Sequence, residues 1–123
     1  MASHIDFGKF GEKIARQFLE NKGYCILKIN WRHRHKEVDI ICKKENILVI
    51  AEVKTRSDDY FQQPFEAVER KKQNLLVEAA EAFIEDYTDF EEVRYDIISI
   101  VKRKDSEPEI EHIEEAFIPG VDL

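Results

Sequence analysis

The stretch EVDIICKKENILVIAEVK (residues 37–54) decides the fold. Two runs rich in Ile and Val, Glu37–Lys43 and Asn46–Lys54, flank a short polar break at Lys44-Glu45. β-Branched runs between polar breaks read as strands, and so short a break joins them as an antiparallel hairpin. Side chains alternate along a strand, so Glu52 and Lys54 share a face with Leu48 and Ile50. The two charged residues therefore project at the mouth of an apolar face. Asp39 stands among Val38, Ile40 and Ile41 in the partner strand. It is expected almost opposite Ile50 or Ala51, diagonal to Glu52.

Two carboxylates held close repel unless a positive group joins them. Mg2+ or Mn2+ would do so, because hard cations take oxygen ligands and Mg2+ keeps several waters beside one or two carboxylates. Such an ion acidifies a bound water and neutralises phosphate charge. Lys54 would orient that water or steady charge developing in the transition state. Asp, Glu and Lys are abundant, so a D…ExK spacing by itself reads more readily as a salt bridge at a strand end. A β-hairpin, acids inside apolar strands and a helix on either side favour the metal.

Upstream, Asp6 can cap a helix running to about Asn21. Phe7, Phe10, Ile14, Ala15, Phe18 and Leu19 form its apolar stripe, and Gly23 ends it. Tyr24–Asn30 reads as a strand and Trp31–Lys36 (WRHRHK) as a basic turn. Downstream, Thr55–Gln63 reads as a loop. Pro64 opens a helix to about Tyr87, with Val68, Leu75, Leu76, Ala79, Ala80, Phe83, Ile84 and Tyr87 on its apolar face. Val93–Val101 and Glu109–Phe117 read as strands. The order α-β-β-β-α-β-β implies an α/β fold, a mixed sheet flanked by helices.

A chain of 123 residues, 43% hydrophobic, fits one domain, residues 1–123. The net charge of −7 argues at first against nucleic acid, but the charge is unevenly placed. Residues 1–57 carry 12 Lys or Arg against 7 Asp or Glu, and residues 58–123 carry 7 against 19. This suggests one basic and one acidic face, the basic one attractive to phosphate. A solubilising charge distribution is the plainer alternative. In the basic turn, Arg32, Arg34 and Lys36 could contact a phosphate backbone and Trp31 could stack on a base. Lys54-Thr55-Arg56-Ser57 reads as a second anion-contact segment. His33 and His35 lack the neighbours of a zinc site. Cys25 and Cys42 read as ordinary core cysteines in a reducing compartment, hence a cytoplasmic protein. No signal peptide or membrane span is expected.

Several segments resemble the YraN-type family, uncharacterised bacterial proteins grouped by fold and motif with PD-(D/E)xK nucleases and Holliday junction resolvases. They are GKFGEKIARQFLENKGYCILKINWR (8–32), EVDIICKKENILVIAEVKTRS (37–57), AVERKKQNLLVEAAEAFI (67–84), RYDIISI (94–100) and HIEEAF (112–117). The resemblance spans nearly the whole chain and keeps the motif order. It implies a restriction-endonuclease-like core and the Asp39, Glu52, Lys54 site. It adds Glu12 as a third acid near the metal. It also places Lys72 and Gln73 toward the site or bound DNA, and sets Arg94 and Asp96 at the sheet edge or paired with each other. Lys36 stands where the family often has Gly, which leaves the backbone before Glu37 open.

The reading is a Mg2+- or Mn2+-dependent endonuclease-like hydrolase of DNA, branched DNA included, with Glu12, Asp39, Glu52 and Lys54 as its catalytic set. Nucleic-acid contacts are expected from Trp31, Arg32, Arg34, Lys36, Arg56, Lys72 and Gln73. A resolvase would need two sites, hence a homodimer. Two other readings stay open: a non-catalytic nucleic-acid-binding module of the same fold, and a protein-interaction domain using the acidic half.

Overall fold

The computed structural model describes residues 4–57 and 69–121, with side chains from residue 8 onward. The elements are α1 (His4–Asn21), β1 (Cys25–His33), β2 (Lys36–Lys44), β3 (Ile47–Ser57), α2 (Arg70–Ile84), β4 (Glu92–Lys102) and β5 (Glu109–Ile113). They form a five-stranded sheet in the order β1-β2-β3-β4-β5. Only β3 and β4 are parallel, joined through α2, so the sheet is mixed and the order is the one expected.

The helices cover opposite faces. Ala15 and Leu19 of α1 pack with Ile40, Cys42, Val49, Ala51, Ile98 and Ile100. Leu76, Ala79, Ala80 and Phe83 of α2 pack with Val38, Ile41, Leu48, Ile50, Tyr95 and Ile97. Alternating residues of β3 and β4 thus serve two cores, which explains why these strands read as continuous apolar runs. Pro64 and Val68 lie outside the described residues.

Several boundaries differ from expectation. α1 begins at His4, before the Asp6 expected to cap it. β1 runs on to His33, so the predicted six-residue basic turn shrinks to Arg34-His35. The reason is alternation: Trp31 and His33 are partly buried while Arg32 is exposed, the pattern of an edge strand. Arg34 takes the left-handed backbone of this turn, at φ 59°, so Lys36 needs no glycine-like geometry. β3 continues through Thr55–Ser57, where a loop was expected, because β4 pairs alongside it as far as Ser57↔Lys102. α2 ends at Ile84 and β5 at Ile113, each a few residues early.

One register prediction is corrected. Ala51 pairs with Ile40 and Ile50 with Ile41, so Asp39 falls one residue further along, level with Glu52. The two-residue turn is Glu45-Asn46, one position later than the expected Lys44-Glu45 break, and Glu45 adopts φ 54° in it.

Candidate functional site

The carboxyl ends of β3 and β4, the β1–β2 turn, the N-terminal half of α1 and the start of α2 gather at one end of the sheet. Contacts fix this arrangement. A Cβ built on Gly11 of α1 would overlap the Thr55 hydroxyl of β3, so only glycine lets the helix approach this closely. Lys102, at the end of β4, places its ammonium 5.1 Å from the Phe10 ring centroid. Lys72 of α2 reaches Glu52 of β3, with Nζ 3.4 Å from Oε1. In parallel-stranded segments, ligands collect at this carboxyl end.

Four of the predicted site residues meet here. Asp39 accepts the backbone N–H of Val53 on Oδ2 at 2.8 Å. Burial raises its carboxyl to about 6; the Val53 hydrogen bond opposes this, and the nearby Glu52 and Glu12 carboxylates add to it. The Glu52 side chain is only 14% exposed. Its Oε2 is buried and has no hydrogen-bond partner among the described residues. Glu12 is tied through Oε2 to the side-chain amide of Asn30 at 2.8 Å. Lys54 lies two residues beyond Glu52 on the same strand, partly buried and level with Ser99 of β4.

This geometry can be tested against a divalent cation. Among the described residues, no three His, Cys, Asp or Glu side chains stand ready-gathered as ligands. Each acid is instead held by its own partner: Val53 N–H, Lys72 or Asn30. An unpartnered buried carboxylate oxygen beside a second carboxylate that resists ionisation is nevertheless a site short of positive charge. Oxygen donors suit Mg2+ or Mn2+, which need only one or two carboxylates and fill the remaining positions with water. Asp39 and Glu52 offer oxygen donors of the kind such an ion takes, and Glu12 is near enough to act electrostatically on Asp39.

The other predicted residues divide. Lys72 meets the site. Gln73 follows it on α2, partly buried. Arg56 lies near the end of β3. Arg32 pairs across the hairpin with Glu37 at 2.8 Å, and Lys36 pairs with Glu78 of α2 at 2.8 Å. Arg34 is exposed at the turn. Trp31 is half-buried, edge-on to Phe83 with centroids 5.5 Å apart, and lines a groove of about 400 Å³ with Leu27, Lys28 and Tyr87. The first turn of α2 holds Arg70, Lys71 and Lys72, with no acidic residue and no side-chain cap. Cations at a helix N-terminus oppose its dipole, so this end carries concentrated positive potential. The acidic run Glu85–Glu92 lies at the other end of α2, about 22 Å away by helix rise. This acidic run is thus separated from the basic first turn by the length of the helix.

A second polar cluster lies outside the predicted site set. Asp96 is 2% exposed. It accepts two hydrogen bonds from Arg94, at 2.9 and 2.8 Å, and one from the Glu115 N–H at 3.0 Å. His112 Nε2 lies 2.7 Å from Asp96, and its Nδ1 faces Lys22 Nζ at 2.9 Å. Because the ammonium can only donate, Nδ1 accepts and Nε2 carries the proton toward Asp96. Arg94 also donates to the Tyr24 hydroxyl at 2.6 Å. The expected Arg94–Asp96 pair is therefore present. The cluster ties the end of α1 and the start of β1 to β4 and β5.

The model of the uncharacterised protein family UPF0102 matches residues 11–100. The chain belongs to this family, which is the YraN-type family. A UPF0102 protein of Flavobacterium psychrophilum is 48% identical over 117 residues, covering 95% of this chain and 98% of that protein. A UPF0102 protein of Bacteroides thetaiotaomicron is 46% identical over 119 residues, covering 97% and 98%. The UPF0102 match contains Glu12, Asp39, Glu52 and Lys54 and stops short of His112. No helix among the described residues is long and apolar enough to cross a membrane.

Proposed function

We propose that this UPF0102 member is a divalent-metal-dependent endonuclease-like hydrolase that cleaves phosphodiester bonds in DNA, branched DNA included, in the cytoplasm. The observation that carries the reading is the Asp39–Glu52 pair at the carboxyl end of β3. One member resists ionisation, and the other keeps a buried oxygen without a partner among the described residues. Asp39 and Glu52 would hold Mg2+ or Mn2+, with Glu12 extending the shell. When bound, such an ion supplies Lewis-acid stabilisation of the phosphate and acidification of a water.

The remaining work belongs to the chain's own side chains. Lys54, on the same face as Glu52, steadies negative charge developing at the phosphate. Lys72 and the rest of the first turn of α2 draw the polyanion in. Arg34 and Arg56 bind flanking phosphates and fix its register. The Glu52 side chain is only 14% exposed, and scarce water around it strengthens its interactions. A two-strand cut at a branch needs two such sites, so a homodimer goes with the branched-DNA reading.

The test compares wild type with Asp39→Ala and Glu52→Ala. Calorimetry reads Mn2+ and Mg2+ binding, and gels read cleavage of linear, flapped and four-way DNA. Loss of both binding and cleavage in either variant supports the reading. Metal binding untouched by both substitutions removes the site. Metal binding by wild type without cleavage of any substrate points to a non-catalytic nucleic-acid-binding module of the same fold.

A further inference from the structure

Asn30 and Asp39 fall opposite each other between the Ile29↔Ile40 and Trp31↔Val38 pairs of β1 and β2. Both strands lose their alternation there. Ile29 and Ile40 face the α1 core, yet Trp31 and Val38, two residues away, face the α2 core. A regular strand keeps residues two apart on one face. Asn30 accommodates the change with φ 50°, a left-handed conformation costly for most L-residues and accessible to Asn, Asp and Gly. From this kink its side-chain amide donates to Glu12 Oε2 at 2.8 Å.

We propose that Asn30 is a positioning residue of the carboxylate site, its left-handed backbone and side-chain amide together holding Glu12 beside Asp39. The backbone requirement alone would be met by glycine, which has no amide to donate. Aspartate would tolerate the backbone but would set another carboxylate against Glu12. Asparagine meets both demands. Two independent features coincide on it: the kink that lets the sheet change faces at Asp39, and the hydrogen bond to Glu12. The consequence for cation affinity rests on the metal-site reading above. The geometric coupling of Asn30 to Glu12 does not.

The test uses Asn30→Gly, which keeps the backbone and deletes the donor, alone and combined with Glu12→Ala. Calorimetric Mn2+ titration reads the site, and thermal melting checks the fold. Removing a residue that orients a ligand typically costs about 10- to 100-fold in metal affinity. The expectation here is about a 10-fold loss in Asn30→Gly with little change in Tm. The double variant should bind no more weakly than Glu12→Ala. Without metal, the Asn30 side-chain amide resonances should move in Glu12→Ala. Wild-type affinity in Asn30→Gly, losses that add in the double variant, or amide resonances that stay put would each overturn the proposal. If wild type binds no Mn2+, the metal-site reading fails, and the amide resonances still decide the coupling.

Discussion

The Asp39 carboxylate accepts the Val53 N–H at 2.8 Å and still has its ionisation pushed up to about 6. A hydrogen bond to the charged form should lower it, so burial and the neighbouring Glu52 and Glu12 carboxylates win. The folded state therefore holds this proton more tightly than the unfolded chain, whose aspartates titrate near 3.9. Between about pH 4 and pH 6 the folded protein binds the extra proton, and the stabilisation this gives at low pH is lost as pH rises through the folded value. A shift of about two pH units corresponds to roughly 3 kcal/mol. Asp39→Asn should accordingly melt higher than metal-free wild type at pH 7.5, and the gap should close below about pH 4. Melting curves across that range check it. Metal affinity in wild type should fall as pH drops below about 6, because the ligand must first ionise.

Asp96 predicts the opposite slope. Burial alone would raise it, but hydrogen bonds from His112, Arg94 and the Glu115 N–H outweigh burial and hold it below the usual carboxylate range. Its stabilisation is fully present above the unfolded value near 3.9 and is lost as pH falls through the lower folded value. Asp96→Ala strands the Arg94 guanidinium and the buried His112 ring, and breaking such a pair costs about 3–5 kcal/mol. Denaturant titration at pH 7 should show that loss, and the variant should lose Asp96's share of the acid sensitivity of wild type below about pH 4. Equal stability of Asp96→Ala and wild type at pH 7 would show that the cluster is not a structural tie.

These two aspartates show which parts of the molecule could be read from residues alone. Continuous Ile and Val runs locate β2, β3 and β4 because each strand is buried on both faces. A 3.6-residue stripe locates both helices. Glu52 and Lys54 follow from alternation. The extent of β1 did not follow, because an edge strand whose exposed face carries Arg32 looks like a turn. The level pairing of Asp39 with Glu52 depends on the left-handed Glu45, which no composition rule specifies. Asn30 was missed although a signal existed: Asn is depleted in strands, and it stands between Ile29 and Trp31. Gly11 inside a helix was a similar signal. The His112 role depends on long-range packing across 90 residues of sequence to Lys22 and carried no local mark.

Gly11 offers a test of how α1 delivers Glu12. A methyl there would overlap the Thr55 side chain, so Gly11→Ala must lift the helix from β3. Overpacking of this kind costs about 1–3 kcal/mol. The variant should melt lower and bind Mn2+ more weakly, because Glu12 moves with the helix. Thr55→Ala in the same chain should restore much of both, since it removes the hydroxyl and methyl the new group would meet. Failure of that rescue would place the helix contact elsewhere.

Arg34 tests the nucleic-acid side. It is exposed in the left-handed position of the β1–β2 turn, at the same end of the sheet as the acids. Arg34→Gly keeps the turn and removes the charge. DNA affinity should fall similarly for every sequence, and the slope of log affinity against log salt should shrink by about one unit. Fluorescence anisotropy at several salt concentrations measures both. An unchanged slope would remove Arg34 from the interface.

Lys72 brings the electrostatics of the site to a single measurement. Its ammonium stands 3.4 Å from one oxygen of Glu52, while the other oxygen is buried without a partner among the described residues. A divalent cation reaching that carboxylate must compete with the lysine, and the lysine charge repels the ion besides. The Lys72 side chain is 46% exposed, so solvent screens the pair and its worth is about 0.5–1 kcal/mol. Lys72→Met should therefore bind Mn2+ about 2- to 5-fold more tightly than wild type. DNA affinity should move the other way, because the first turn of α2 loses one of its three cations. Those opposite signs separate a counter-charge from a scaffold residue: a lysine that merely holds the helix in place would weaken both. Calorimetry with Mn2+ and anisotropy with DNA, performed on the same preparation, decide between them.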